Sequence, residues 1–179
     1  RSGIRSGTEV AVMKITPEER IEDFTARGWW GRSTLLHLLD RAAAQRPGHL
    51  ALIDPCNRSS LTSGAALRLS FSDLVSAVEA LSVRLFSAGL RRDDIVVVQM
   101  PNIAELPIVY LAAARLGVIV SPVPVQYGIF ELSKAAAALN ARRFVTTSHW
   151  KGRNLANEHA AAFGDQCRIL VFGTATPEQ

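Results

Sequence analysis

The side chains that most often carry out chemistry are few and widely spaced in this 179-residue sequence. Its histidines do not have the spacing of metal ligands: His37, His49, His149 and His159. His37 lies beside leucines in a predicted helix, where a structural role is more common than ligand binding. The cysteines, Cys56 and Cys167, lack zinc-type spacing and are expected to be reduced thiols of a cytoplasmic protein.

One loop of small hydroxyl side chains superficially resembles a phosphate cradle. It contains Ser59, Ser60, Thr62, Ser63 and Gly64. A cradle needs several glycines, whose backbone amides converge on the phosphate, and usually a lysine. Only one glycine is present in this loop and no lysine is near, so we interpret the segment as the loop of a hairpin.

Charged residues are dispersed along the chain, with 20 Lys and Arg against 16 Asp and Glu. Asp93 and Asp94 follow Arg91 and Arg92 directly, which indicates a solvated cluster of charges rather than an acid–base pair. Since no basic stripe is interleaved with aromatic residues, the pattern gives no support to nucleic-acid binding. The hydrophobic fraction of 48% is typical of a folded protein, and no stretch has the composition of a membrane span.

The elements that would position a site are clearest in residues 69–124. A helix is expected to begin with Ser72 as its cap and to end at Gly89. Its apolar residues recur at helical spacing and form one stripe: Leu74, Val78, Leu81 and Leu85. A strand over 95–98, a helix over 103–116 and a strand over 118–120 follow. Strands that are apolar on both faces and alternate with helices predict a buried parallel sheet.

The flanking segments extend this pattern. A helix begins at Ser33 or Thr34, and residues 50–53 and 68–71 are expected to pair as a hairpin. Helices over 129–139 and 154–163 and strands over 144–147 and 168–172 follow. The predicted fold class is therefore α/β, a mostly parallel, doubly wound sheet with flanking helices and an N-terminal β-hairpin.

An open parallel sheet binds ligands outside the carboxyl ends of its strands. In this sequence that rule indicates residues 100–102 and 121–127. It selects Asn102, Gln126 and Tyr127 as candidate residues of a substrate cleft.

The chain is expected to have four segments. Residues 1–12 precede Met13, a plausible start, and are interpreted as a leader outside the fold. Residues 13–32 form an N-terminal arm with a short helix over 17–26, and we interpret Trp29 and Trp30 as anchors of this arm rather than a ligand-stacking platform. Residues 33–172 form the α/β subdomain, and 173–179 form an exit linker.

Six short motifs, in order, resemble the adenylate-forming enzymes, a superfamily of acyl- and aryl-CoA synthetases, luciferases and peptide-synthetase adenylation domains. Residues 35–54 resemble its lead-in "L-x-x-A-x-x-x-P-x-x-x-A-L", and LSFSDL at 69–74 resembles "L-T-Y-x-E-L". The others are AGL at 88–90, QMPN with AEL at 99–106, ARLGV at 114–118 and SPVP at 121–124. The GWW start at 28–30 and the run over 98–127 are most similar to aryl-acid and cyclohexanecarboxylate–CoA ligases.

The resemblance implies an enzyme that uses ATP and Mg to convert a carboxylic acid into an acyl-adenylate, and then passes the acyl group to CoA. In that family a phosphate loop ending in lysine should follow the strand at 168–172, and no position here matches it. The adenine-binding residues, the magnesium ligand and the catalytic lysine are likewise unmatched. We therefore expect an inactive N-terminal fragment with no catalytic, cofactor-binding or metal-ligating residues of its own. Its role would be to form part of the wall of the acyl pocket.

Two other hypotheses for the function of the chain stay open at this point. One is a stand-alone doubly wound binding module, and the other is part of an adenylation domain that serves a carrier protein. A fragment should also leave apolar surface uncovered, so we expect a homodimer or other self-association.

Overall fold

The computed structural model describes residues 16–173. The predicted leader at 1–12 and residues 174–179 of the predicted exit linker lie outside this part of the chain. The chain separates into two compact units, Arg1–Ser33 and Thr34–Gln179.

The described part of the first unit is one helix followed by two tryptophans. Helix α1 spans Glu18–Ala26 and is preceded by Pro17, whose fixed φ suits the start of a helix. The Phe24 ring lies 5.5 Å from the Trp29 ring and 5.1 Å from the Trp30 ring, measured between centroids. The two tryptophans thus form an aromatic cluster with the helix of their own unit.

The second unit alternates helices and strands as the sequence predicts. Its helices are α2 (Leu35–Gln45), α3 (Arg58–Leu61), α4 (Phe71–Ser87), α5 (Glu105–Leu116), α6 (Ile129–Ala138) and α7 (Leu155–Phe163), with a 3₁₀ turn at Gly164–Gln166. Its strands are β1 (Leu50–Ile53), β2 (Arg68–Ser70), β3 (Ile95–Gln99), β4 (Ile119–Pro122), β5 (Arg143–Thr147), β6 (His149–Trp150), β7 (Arg153–Asn154) and β8 (Arg168–Phe172). The α/β class is confirmed.

Four parallel strands form the main sheet, in the order β4-β3-β5-β8. The chain enters at β3, adds β4 on one side, then crosses back to add β5 and β8 on the other. The edge strands among the described residues are β4 and β8, and β4 ends with Pro122 in register with Val98. The predicted N-terminal hairpin is also confirmed, since β1 and β2 pair antiparallel.

Helices cover both faces of the sheet, which confirms the doubly wound arrangement. On one face, Val96 and Val98 of β3 pack into a core built by α2, α4 and α5. On the other face, Val97 and Phe144 pack against α6 and α7. Alternate side chains of β3 therefore enter two separate cores, as a strand apolar on both faces requires.

The cap of α4 differs from the sequence prediction. Ser72 was expected to cap this helix, but the N-cap is Ser70, whose Oγ accepts a hydrogen bond from Asp73 N at 3.1 Å. The Asp73 carboxylate accepts from Ser70 N at 3.0 Å in return, which completes a capping box. The two serines were not distinguishable by residue type, and the pairing of β2 decides between them because it runs to Ser70.

Three further details depart from the prediction. Helix α5 begins at Glu105 rather than 103, because Pro101 and the turn after it hold residues 101–104 outside the helix. The turn expected at Ser148 contains a small antiparallel pair, β6 and β7. The hairpin loop between β1 and β2 contains the short helix α3.

Several large apolar side chains lie on the surface of the second unit. Its exposed large apolar side chains include Leu35, Leu38, Val83, Phe86, Tyr110 and Phe130. Such exposure does not by itself demonstrate an interface, so self-association stays a prediction.

Across residues 16–173, no helix combines the length and apolar character needed to cross a bilayer.

Alanine substitutions of Ser70 and Ser72 test which of the two serines caps α4. We expect Ser70→Ala to lower the free energy of unfolding by about 1 kcal/mol, because it leaves a helix amide without its acceptor. Urea denaturation followed by circular dichroism measures the change. Ser72→Ala is the matched control and should be neutral. An equal loss in Ser72→Ala would contradict the assignment of the cap.

His159 on α7 is a buried titratable group in this core. Its side chain is 1% exposed, and its ring lies 6.0 Å from that of Phe144 in an edge-on arrangement. Burial lowers the pKa of His159 below its ordinary value, although the hydrogen bond from Nδ1 to the Leu155 carbonyl opposes this shift. Nε2 is buried and has no hydrogen-bond partner within the described part of the chain.

We therefore expect stability to fall as the pH drops below about 6.5, the ordinary histidine value, because the unfolded chain then binds a proton that the folded chain disfavours. His159→Leu should flatten this dependence in denaturation curves recorded at about pH 7.5 and about pH 5.5. The same substitution at exposed His49 should leave the dependence in place. A dependence that persists unchanged in His159→Leu would show that another group causes it.

Candidate functional site

The topology of the sheet places a switch point between β3 and β5. From β3 the chain proceeds to β4 on one side, and from β4 it returns to β5 on the other side of β3. The connecting helices α5 and α6 therefore lie on opposite faces and diverge at the carboxyl ends of these strands. A crevice opens at this place in doubly wound sheets, and ligands bind there.

Polar side chains are buried along this carboxyl edge. Gln99, Thr146, Thr147 and Ser148 are all 2% exposed or less. The Thr146 hydroxyl donates to the Gln99 carbonyl at 2.9 Å, which joins β5 to β3. Gln99 Nε2 donates to the carbonyls of Pro124 and Tyr127, at 3.2 and 3.0 Å. These bonds hold the loop at 124–127 over the end of β3.

Arg153 holds the same loop from its other side. It donates to the carbonyls of Val125 and Tyr127, at 3.2 and 3.4 Å, and pairs with Glu158 at 2.5 Å. The bond from Arg153 lowers the pKa of the Glu158 carboxyl despite partial burial, so Glu158 is ionised at neutral pH. The loop is thus fixed through its backbone and through the buried side chain of Val125, whereas the side chains of Gln126 and Tyr127 are exposed.

The three candidate cleft residues are distributed over two places. Gln126 and Tyr127 lie on the 124–127 loop with exposed side chains, that of Tyr127 being 47% exposed. Asn102 is exposed and lines a separate hollow of about 280 Å³ with residues of β1 and the start of α5. Neither Gln126 nor Tyr127 lines that hollow. Their role in binding a substrate stays a prediction.

A buried ion-pair cluster, which the sequence did not reveal, lies beside the carboxyl edge. Arg58, only 5% exposed, donates to both carboxylate oxygens of Glu105, at 2.5 and 2.8 Å, and to Asp54. We call Asp54, Arg58 and Glu105 the triad. It connects the end of β1, the hairpin loop and the first turn of α5.

Hydrogen bonds satisfy the carboxylate of Asp54. Its Oδ1 accepts from Ala104 N and its Oδ2 from Leu67 N, both at 2.7 Å. Burial raises the pKa of Asp54, but the bonds from Leu67, Arg58 and Ala104 outweigh this and lower it below the ordinary aspartate value. Pairing with Glu105 raises the pKa of Arg58 against the effect of its burial. Asp54 and Arg58 are therefore both charged at neutral pH, and Arg58 lies between the carboxyl groups of Asp54 and Glu105.

Two members of the triad, Arg58 and Glu105, line a cavity of about 270 Å³ at the carboxyl edge. The lining residues are Arg58, Thr62, Ser63, Gly64, Ile103, Glu105, Thr147, Phe172 and Gly173. Ser63 Oγ lies 3.3 Å from Ser148 Oγ, which brings the hydroxyl-rich loop to the end of β5. The interpretation of residues 59–64 as a plain connecting loop was therefore incomplete, because this loop lies over the carboxyl edge of the sheet.

Gly173 allows the chain to leave β8 next to these hydroxyls. Its φ is +99°, which favours glycine, and a Cβ there would lie 2.5 Å from Ser148 Oγ and 2.9 Å from Ser63 Oγ. The cavity thus combines hydroxyl and charged side chains with apolar ones such as Ile103 and Phe172. Within residues 16–173, no cluster of three or more His, Cys, Asp or Glu side chains is placed to hold a metal ion.

Sequence reasoning missed Arg58 for a physical reason. Its partner Glu105 is 47 positions further on, and nothing in local spacing relates the two. Asp54 and Arg58 are four positions apart, but they flank Pro55 in a predicted turn, where this spacing is not a helical pair. The available signal was that Arg58 is the one charged residue in the sequence of the 55–67 loop.

The strand order and the crevice at the carboxyl edge of the sheet are those of doubly wound α/β proteins. Proteins of this class bind ligands at the topological switch point. A family model described as "AMP-binding enzyme" matches residues 39–178. The chain belongs to this family. The resemblance to the adenylate-forming enzymes is thereby confirmed.

Individual relatives agree with this assignment. The chain is 32% identical over 162 residues to 2-hydroxy-7-methoxy-5-methyl-1-naphthoate–CoA ligase of Streptomyces carzinostaticus, covering 88% of this chain and 27% of the relative. It is 26% identical over 164 residues to salicyl-AMP ligase / salicyl-S-ArCP synthetase of Mycobacterium tuberculosis, covering 90% and 28%. The apo structure of MbtA from Mycobacterium smegmatis matches with a TM-score of 0.70 and 28% identity, over 93% of this chain and 29% of that one. The chain spans less than a third of each relative.

The buried triad should contribute more to the free energy of unfolding than a surface ion pair does. Arg58→Met should lower the free energy of unfolding by about 3–5 kcal/mol, because it leaves two carboxylates without their counter-charge in the interior. Arg115→Met is the matched control, since Arg115 pairs with Glu79 at 3.1 Å on the surface, and it should cost less than about 1 kcal/mol. Chemical denaturation of the two variants measures the difference. Equal losses would mean that the triad is no more important than a surface ion pair.

Proposed function

We propose that this chain is the N-terminal portion of an enzyme that activates a carboxylic acid with ATP. The match of the AMP-binding family over residues 39–178, together with a chain that spans less than a third of each relative, carries this proposal. In the first step a carboxylate oxygen attacks the α-phosphorus of ATP. A C–O–P linkage forms, and pyrophosphate leaves with the electron pair of the broken P–O bond.

In the second step the thiol of CoA, after loss of its proton, attacks the acyl carbon of the adenylate. The thioester forms and AMP leaves. ATP, Mg and CoA are thus the proposed cofactor and substrates of the whole enzyme. The motifs that hold them in the family have no counterpart among residues 1–179, so this portion supplies scaffold and pocket wall. A cytoplasmic location and a homodimer belong to the same proposal.

An aromatic acid is the substrate class that the comparisons favour. Relatives of this chain include a naphthoate–CoA ligase, a 4-chlorobenzoate–CoA ligase and a salicyl-AMP ligase. A propionate ligase also matches, at 36% identity, but over 63% of this chain. We place the acid against the 124–127 loop, where Gln126 and Tyr127 have exposed side chains on a fixed backbone, with Asn102 as the third candidate.

A second candidate function has a specific observation in its favour. Salicyl-AMP ligase / salicyl-S-ArCP synthetase matches 90% of this chain, and MbtA matches 93%. The first of these names describes transfer of the salicyl group to a carrier, ArCP. In this alternative the adenylate forms in the same way, but a carrier-bound thiol takes the place of CoA in the second step.

Exchange of labelled pyrophosphate into ATP by the complete enzyme tests the proposal. We expect exchange with an aromatic acid such as salicylate to exceed that with propionate by about tenfold or more, because a site shaped for a ring loses that contact area with a short acid. Adding CoA or a pantetheinylated carrier protein then identifies the acceptor from the thioester formed. The 179-residue chain should show no exchange with any acid. Reproducible exchange by this chain, or none by the complete enzyme across a broad set of acids, would refute the corresponding part.

A further inference from the structure

The outer side of β8 carries backbone groups that no described strand pairs with. β8 is an edge strand of the four-stranded sheet, and within residues 16–173 its only partner strand is β5. Arg168 N donates to the Arg142 carbonyl at 2.9 Å, and the Phe172 carbonyl accepts from Ser148 N at 2.8 Å. The residues at both ends of β8 therefore direct their backbone hydrogen-bonding groups toward β5.

Alternate residues of a strand direct these groups to opposite sides, so the middle of β8 can be assigned from its ends. Leu170, two positions from either end, faces β5. Ile169 and Val171 face away from it, and each presents one N–H donor and one C=O acceptor along the outer edge. These unpaired groups form the template on which a neighbouring strand can bind.

The side chains of β8 do not protect this edge. Edge strands that remain open to solvent usually carry charges, prolines or bulges that prevent pairing. The only charged residue of β8 is Arg168, at its first position, and none of the four residues after it is a proline. The register with β5 is continuous over all five positions, and Val171 on the outer side is 36% exposed. An apolar edge without such protection is suited to be covered by another strand.

The course of the chain indicates which strand covers the edge. From β5 the chain proceeds to β8 on the outer side, and consecutive strands of a sheet are usually neighbours. The next strand in the sequence therefore has its place on the free side of β8. The family match continues past β8 to residue 178, and this chain covers only 27% of the naphthoate–CoA ligase. In the proposed enzyme, enough polypeptide follows residue 179 to supply that strand.

A second copy of this chain would have to supply a strand in an intermolecular step. A strand of the same polypeptide is held near β8 by its connection, which raises its effective concentration to about the millimolar range. For the same contact, a separate molecule at micromolar concentration is at a disadvantage of about a thousandfold. The connected strand is therefore the favoured occupant.

We propose that the outer edge of β8 is the docking site for a strand from the part of the enzyme that follows residue 179, so that the main sheet continues beyond β8. The inference rests on the proposed function, since it takes this chain as the N-terminal portion of a longer enzyme. It assigns the contact to the backbone groups of Ile169 and Val171 and to burial of the Val171 side chain.

Hydrogen–deuterium exchange of the 179-residue chain and of the complete enzyme tests whether the edge is covered. We expect the amides of Ile169 and Val171 to exchange about 100-fold more slowly in the complete enzyme, because a paired strand must open before they exchange. Peptides covering β5 are the internal control and should exchange alike in both proteins. Equal exchange of the two outer amides in both proteins would overturn the proposal. Slow exchange in the 179-residue chain that becomes faster on dilution would also overturn it, since a second copy would then be the occupant.

A photo-cross-linking side chain identifies the occupant in the complete enzyme alone. Val171→p-benzoylphenylalanine places the reactive ketone on the outer side of β8. Val83 is 66% exposed on α4, and the same substitution there is the matched control. We expect the variant at Val171 to capture a peptide from beyond residue 179 of the same molecule, and the control not to capture that peptide. Capture of a segment within residues 1–179, or of a second molecule, would contradict the assignment.

Neither measurement depends on turnover. A complete enzyme that shows no exchange of pyrophosphate with any acid would refute the ligase function, while the amide exchange and the captured peptide would still decide what covers β8. Conversely, an active enzyme with an uncovered β8 edge would refute this inference and leave the ligase function in place.

Discussion

The central constraint on this fold is that β3 is buried on both faces. Val96, Val97 and Val98 are at most 2% exposed, so apolar cover is needed above and below the strand. Crossover connections supply that cover, with α5 on one face and α6 on the other. The same reversal of direction opens the crevice at the carboxyl ends of β3 and β5. The position of the candidate site is thus a consequence of how the central strand is covered.

The charged triad next to this crevice is costly to bury, and its geometry shows how the cost is offset. Each oxygen of Asp54 accepts a hydrogen bond from a backbone amide, and Glu105 accepts two from Arg58. Well-packed apolar residues would often stabilise a protein as much as a buried ion pair does. What apolar residues lack is direction, because dispersion contacts tolerate sliding and a two-pronged hydrogen bond does not. The triad is better explained by fixed geometry at the edge of the sheet than by stability alone.

Most of the fold could be predicted from the sequence because local patterns determined it. The apolar stripe of α4 and the continuous apolar run of β3 depend on neighbouring residues, and both are buried as expected. Gly117 and Asn140 end their helices with positive φ, as a left-handed position requires. Errors appear where a choice depended on pairing at a distance, as with Ser70 and Ser72, since the extent of β2 is set by β1.

The candidate site was less predictable, and for the same reason. The rule for parallel sheets selects the carboxyl edge, and the loop at 124–127 lies there, but its role in binding stays a prediction. Arg58 meets Glu105, and Ser63 meets Ser148, only when the hairpin loop lies over the sheet. No spacing within any one segment encodes that meeting. Family likeness does not supply it either, because the motifs that carry the resemblance do not include Arg58.

The two edges of the sheet differ in what they can accept. β4 ends at Pro122, which has no amide hydrogen to offer, whereas β8 contains no proline and Val171 is 36% exposed. An unblocked edge is a template on which another strand can form hydrogen bonds. Within residues 16–173 the two edges of the sheet are therefore unequal: β4 lacks one amide donor and β8 lacks none. The β8 edge is the one better suited to pair with a further strand.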